Sequence, residues 1–240
     1  MPRRPGPTAR WLLALTWPVG IALTSWDYMW RTTVMHRREI TGESLADHLP
    51  PDHPEGIDAT ELQPPRDGVG PLFHRCYSTR IHDAELSAAD LMATLKTDLN
   101  QAAPTTFARF QRVLGDQPRL RVGDEYVVRM PGPWDGPVRV VAEDEHSFRL
   151  ATLAGHLEAG QIEFRADTDR DEVTFVIESW ARSADRLSDL LYHKVGMAKE
   201  VQVHMWTSFL EGVASLSGGR LTGGVTIETQ RVESPFGGRA

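Results

Sequence analysis

His156 and Glu158 are the residues in this chain whose types and spacing most readily suit chemistry. An imidazole and a carboxylate two positions apart share a face if their segment is a strand. Such a pair is the raw material for a general base, or for gripping the polar group of a small ligand. Gly155 and Gly160 flank them, so a turn in which His156 caps backbone groups, or a bulge between two strands, accounts for the same residues. His204 follows Glu200 by four positions and can touch it on a helix. At the edge of an apolar stripe it reads either as a contact for a ligand's head group or as a satisfied boundary residue. Pro131-Gly132-Pro133-Trp134-Asp135-Gly136-Pro137 is too rich in proline for a strand interior. It reads as a rigid turn, or as a lid in which Trp134 touches a ligand. The single cysteine, Cys76, sits in an expected strand with no helix start near it, which favours a buried inert thiol over a nucleophile. The chain contains no Gly-x-Ser-x-Gly, no His-Glu-x-x-His, no P-loop and no Gly-x-Gly-x-x-Gly after a strand. Asp47-His48 and Asp52-His53 lie where no regular element would hold metal ligands in place. No metal and no cofactor are expected.

The elements that must position these residues are legible from periodicity. Phe73 to Ile81 is rich in aromatic and β-favouring residues and predicts a strand. Ser87 is a good N-cap for a helix carrying Leu91, Met92, Leu95 and Leu99. A second short helix is expected around Phe107 to Leu114, closed by Gly115. Strands are then expected at Glu125 to Met130, Val138 to Ala142, Ser147 to Leu153, Gln161 to Ala166 and Glu172 to Trp180. Their alternation describes an antiparallel meander with one buried face. The period then changes. Leu187, Leu191, Val195, Ala198, Val201, Met205, Phe209, Val213 and Leu216 make one stripe on a long helix from about Asp185 to Ser217, stopped by Gly218-Gly219. A last strand runs from Val225 to Val232.

Charge and composition divide the chain further. It has 240 residues, 40% hydrophobic and 25% charged, with a net charge of −7. That is ordinary globular composition, and the acidic balance argues against a grip on nucleic acid. One cysteine leaves no internal disulfide framework. Residues 1–40 form a basic, aromatic arm in which Arg3, Arg4, Arg10, Arg31, Arg37 and Arg38 face only Asp27 and Glu39. Its apolar run is short for a membrane span and is interrupted by Pro18 and Gly20. Trp11, Trp17, Trp26 and Trp30 suit either docking on the protein's own surface or contact with a membrane at headgroup depth. The expected location is cytoplasmic, with the membrane's inner face as a partner if the arm touches it. Residues 41–70, rich in proline and glycine, read as a solvated linker; 71–233 as the folded domain; 234–240 as a loose tail.

The segment Thr152-Leu153-Ala154-Gly155-His156-Leu157-Glu158-Ala159-Gly160-Gln161-Ile162-Glu163-Phe164 resembles the central signature of the domain of unknown function 1990 family, roughly Thr-Leu-Pro-Gly-His-x-Glu-x-Gly-Glu-Glu-x-Phe. Ala154 stands in place of the proline and Gln161 in place of the first acidic residue. Val173 to Arg182 resembles the family's next segment. That family is similar to the START/polyketide-cyclase/Bet v 1-like superfamily. The resemblance implies an α+β helix-grip fold: a curved antiparallel sheet wrapped around a long C-terminal helix, with a cavity between them for lipids or other hydrophobic ligands. The element order agrees. On this reading the ligand is held by Phe148, Leu150, Phe164, Phe175, Ile177, Val201, Met205 and Phe209, with His204 and Trp134 beside it. An ordinary packed core would use the same residues. Two other functions stand beside hydrophobic-ligand binding: a cyclase-, hydrolase- or isomerase-like enzyme using His156 and Glu158, and a membrane-associated module working through the arm.

Overall fold

Strands built from these alternating segments pair into one sheet. The computed structural model describes residues 33–40, 48–105, 108–130, 135–186, 197–233 and 236, with side chains for all but 40 and 197–201. Trp11, Trp17, Trp26, Trp30, Trp134 and the expected helical stretch 187–196 lie outside the described residues. The strands are β1 (Met35–Ile40), β2 (Val69–His82), β3 (Arg109–Leu114), β4 (Glu125–Arg129), β5 (Gly136–Glu143), β6 (Ser147–Thr152), β7 (Glu158–Asp169), β8 (Glu172–Ser183) and β9 (Arg220–Val232). Two α-helices accompany them, α1 (Ala88–Thr97) and α2 (Met197–Leu216). The sheet order is β1-β9-β2-β8-β7-β6-β5-β4-β3. Every neighbouring pair is antiparallel except β1 with β9.

The long meander from β3 to β8 follows from short polar turns between alternating strands. Ser87 caps α1 by accepting a hydrogen bond from the Asp90 backbone N–H, and Leu91, Met92 and Leu95 face the core. One face of the sheet carries Tyr77, Phe148, Phe164, Phe175 and Ile177, which pack with Leu91 and Met92 of α1 and Phe209, Leu210 and Val213 of α2 in a single apolar cluster. Register shifts in β2/β9, β3/β4 and β5/β6 mark the irregularities that let so wide a sheet curve.

Two expectations are corrected here. The short helix around Phe107 to Leu114 is instead a strand over its described part, Arg109–Leu114. Phe110 is 5% exposed while Arg109 and Gln111 face out, the alternation of a strand. Asn100 locks it there: its side-chain amide donates to the Phe110 carbonyl, and its side-chain oxygen accepts from the Phe110 N–H. The second correction concerns segments placed outside the domain. Met35–Ile40 is an edge strand in register with β9, so a truncation meant to test the arm must stop at residue 32.

Residues 48–67, expected as solvated linker, lie against the outer face of the sheet as a strap. The reason is that this face carries long polar side chains aimed at backbone carbonyls. Arg139 donates to the carbonyls of Asp58 and Thr60 at 2.7 and 2.8 Å while gripping Glu125. Arg149 and Gln161 both donate to the Pro51 carbonyl. Leu62 bridges to Leu153, and Leu49 joins a small outer cluster with Leu72, Trp180 and Val232. At the strap's start, the His48 and His74 Nδ1 atoms are 2.9 Å apart, and His74 Nε2 is 2.7 Å from Glu178. An ionised Glu178 can only accept, so His74 donates to it through Nε2.

Cys76 lies on this outer face opposite Glu178. Burial, reinforced by the Glu178 carboxylate, pushes its thiol up to about 11. A thiol so placed is almost wholly protonated near neutrality. The native chain is therefore expected to react with an aromatic disulfide reagent at pH 7.5 roughly two orders of magnitude more slowly than free cysteine. Reaction at the free-cysteine rate in the folded protein would contradict this placement.

Candidate functional site

The inward-facing row of β8 runs Val173, Phe175, Ile177, Ser179, Ala181, and that of β7 runs Ala166, Phe164, Ile162, Gly160. Both rows shrink toward the same end of the sheet, because Gly160 pairs with Ala181 and Ile162 with Ser179. Met205 and Trp206 of α2 face this end of the sheet. The result is a cavity of about 140 Å³. Its walls include Phe110, Val128, Met130, Leu150, Met205 and Trp206, and its polar residues are Thr152, His156, Glu158, Gln161, Ser179 and Gln202.

The turn that carries His156 is shaped by its glycines. Gly155 has φ +103°, and the His156 N–H closes the turn on the Leu153 carbonyl at 3.0 Å. Gly160 has no room for a side chain: a Cβ would stand 2.0 Å from the Trp180 carbonyl oxygen. From the strap, the Gln63 amide donates to the carbonyls of His156 and Glu158 at 3.0 and 2.8 Å. Gln63→Ala leaves two carbonyls without these partners and is expected to lower stability by about 1–3 kcal/mol, measured by urea unfolding. A change below the error of the midpoint would remove Gln63 from the loop's support.

His156 and Glu158 both reach the cavity, but not as an acid–base couple. The Glu158 backbone N–H donates to His156 Nδ1 at 2.9 Å. The Glu158 carbonyl oxygen lies 3.1 Å from the same nitrogen, so the backbone of Glu158 engages Nδ1 whichever tautomer the ring adopts. The ring packs against Gly136, where a Cβ would meet Nε2 at 3.0 Å. The Glu158 carboxylate turns instead to α2, accepting from Gln202 Nε2 at 2.9 Å through both oxygens. Gln202 Oε1 in turn accepts from Arg75 at 2.8 Å. Arg75 is 3% exposed and stacks on Phe73. The arrangement is a charged, hydrogen-bonded string along one side of an apolar cavity.

Burial pushes the His156 imidazole below its ordinary value, although the Glu158 charge opposes this. Burial and the Arg149 charge do the same to His53. Below about pH 6.5 the unfolded chain takes up protons that these folded rings resist, so stability is present above that pH and is lost as pH falls. We expect the unfolding free energy to decline from pH 7 to 5, by at most about 1.4 kcal/mol per pH unit for each histidine, and the slope to flatten in His156→Gln. An unchanged slope in that variant would show that the ring titrates alike in both states.

Of the residues expected to hold a ligand, Leu150 and Met205 line the cavity. Phe148, Phe164, Phe175, Ile177 and Phe209 are packed solid instead, none more than 1% exposed. The Phe148 and Phe164 rings stack at 4.7 Å, and Phe209 lies 5.4 Å from Phe164. Aromatics that satisfy one another leave no void, so the cavity opens where small residues replace them. His204 is buried on α2 away from the cavity lining. The Val201 side chain and Trp134 lie outside the described residues. Reading the sequence missed Phe110, because it sat in an expected helix, and Arg75 and Gln202, which meet only across the fold. Ser179 and Ala181 did carry a signal: small residues ending an inward row.

Known proteins can now be set beside this geometry. Residues 98–209 match the family model described as Domain of unknown function (DUF1990). The match bears out the resemblance carried by Thr152 to Phe164, and it spans β3 to β8 and much of α2. The string's Arg75 lies before the matched residues. No curated protein matches the chain. Among solved structures, the major latex-like protein 151 of Panax ginseng is 13% identical, with 62% of this chain and 99% of that one covered and a TM-score of 0.45. A truncated norcoclaurine synthase from Thalictrum flavum is 14% identical, covering 62% and 95%, with a TM-score of 0.43. A hypothetical protein from Helicobacter pylori is 12% identical, covering 59% and 87%, with a TM-score of 0.43.

Proposed function

We propose that this DUF1990-matching chain binds a hydrophobic small molecule of about one ring in the cavity between sheet and α2. The observation that carries the reading is an apolar chamber with an imidazole, His156, and a carboxylate–amide–guanidinium string on one side. Such an arrangement suits an apolar body with one polar substituent. Volume decides between candidates. An engineered apolar cavity of about 150 Å³ in another protein holds a single benzene. A chamber of about 140 Å³ therefore suits a phenol or an indole and is too small for an acyl chain.

His156 Nδ1 is engaged by the Glu158 backbone and the Glu158 carboxylate by Gln202, so the two side chains are held by different partners. The binding reading is thus preferred to catalysis by His156 and Glu158. No helix among the described residues is long and apolar enough to cross a membrane. Isothermal titration of the full chain with indole and phenol tests the proposal. At 100 times its Kd, a bound ligand is expected to raise stability by about 2.7 kcal/mol. Ala181→Phe fills the chamber and should abolish both effects. Neither heat nor stabilisation from any ring-sized probe, or equal binding by Ala181→Phe, would sink it.

A further inference from the structure

A second and larger cavity lies on the other side of the sheet. It is about 420 Å³, three times the inner one, and is roofed by the strap. Pro51, Leu62 and Pro64 form apolar walls, and Ala151 and Gly160 give a floor without bulk. Gln161 lines both this cavity and the inner one and is 4% exposed. Its Nε2 is committed to the Pro51 carbonyl at 2.7 Å, which fixes the amide's orientation. Its Oε1 is buried and has no hydrogen-bond partner among the described residues. His53 Nδ1, also on the lining, is in the same state. A buried acceptor without a donor costs roughly 1–3 kcal/mol, which a complementary ligand would recover.

We propose that this outer cavity is a second binding site, for a planar, uncharged molecule that presents an N–H donor to Gln161 Oε1. The donor requirement comes from the carbonyl oxygen, which can only accept. An anion is excluded by the same oxygen. Near His53 a cation is disfavoured by the charges of Arg149 and Arg66, while Asp52 and Asp67 also line the cavity. A flat body suits the lining, in which Ala151 and Gly160 add no bulk from the sheet and Pro51, Pro64 and Pro65 come from the strap. His53, kept neutral by burial and by Arg149, supplies a second hydrogen bond of either sense. Lactam and amino-substituted rings meet these demands, and the volume accommodates two fused rings.

Isothermal titration of the full chain with quinolin-2(1H)-one tests the site. One binding event with Kd below about 1 mM is expected. Gln161→Leu should weaken it at least tenfold, and Ala151→Leu, which raises the floor, should abolish it. His53→Phe spares the hydrogen bonds by which Arg139, Arg149 and Gln161 hold the strap and should also weaken binding, so loss in Gln161→Leu cannot be ascribed to a detached strap. Ala181→Phe, which fills only the inner cavity, should leave the outer event unchanged. Amide exchange should slow in residues 49–67 when the probe is bound. No binding overturns the proposal, as does binding that Ala181→Phe removes and Ala151→Leu spares. Indole binding that follows the opposite pattern of variants reports on the inner cavity alone, so the two readings fail separately.

Discussion

Phe164→Ala is expected to lower the unfolding free energy by about 3–5 kcal/mol, with the urea midpoint shifted and the slope unchanged. The ring is 1% exposed and touches aromatics on three sides. It stacks on Phe148 at 4.7 Å, meets the Trp206 edge at 5.5 Å and lies 5.4 Å from Phe209. Deleting it removes transfer free energy and leaves a cavity that three rigid rings cannot collapse to fill. A total of 5–15 kcal/mol for a typical domain makes this a large fraction. Phe164→Leu should cost about 1.5 kcal/mol or less, since it keeps most of the volume. The outcome also bears on function. A loss below 1 kcal/mol would mean that these aromatics are loosely packed, and the ligand would then belong among them and not beside Ser179 and Ala181.

Gly160→Ala should be nearly as damaging, at about 3 kcal/mol or more, because its Cβ meets backbone instead of a movable side chain. The atoms it would strike are the Trp180 carbonyl oxygen at 2.0 Å and the Ala181 Cα at 2.8 Å. Relief requires β7 and β8 to part at the pair that makes the narrow end of the inner cavity. Thermal unfolding would reveal the loss of stability, and indole binding should vanish even where the variant still folds. A variant of wild-type stability would show that the strands part freely there. The same glycine floors the outer cavity, so both binding events should be lost together.

Much of the architecture was readable before any tertiary contact was known. The alternation in β2 and β4 to β9 and the Ser87 cap of α1 are local patterns, and local patterns survive because one face is buried and the other wet. Where the pattern was weak, another force took over. Arg109 to Leu114 could be read as a helix until Asn100 bound the backbone of Phe110 on both sides. The proline-rich stretch after residue 48 has no periodicity, so nothing in it announces that Arg139, Arg149 and Gln161 will hold its carbonyls against the sheet. Those side chains lie about a hundred residues away in sequence, and their hydrogen bonds are invisible to any local pattern.

The sequence by itself determined the class of fold, the family signature and the presence of His156 and Glu158 near one another. It did so because strand period, turn glycines and motif spacing are properties of neighbours in the chain. Only the tertiary structure decided what those residues do. It set His156 Nδ1 against the backbone of Glu158 and turned the Glu158 carboxylate toward Gln202 and, through it, Arg75. It also decided which apolar residues enclose space and which fill it. An inward-facing Phe reads the same in both cases, and the difference rests on whether the residue opposite is another ring, as at Phe148 and Phe164, or a serine and an alanine at the end of a strand.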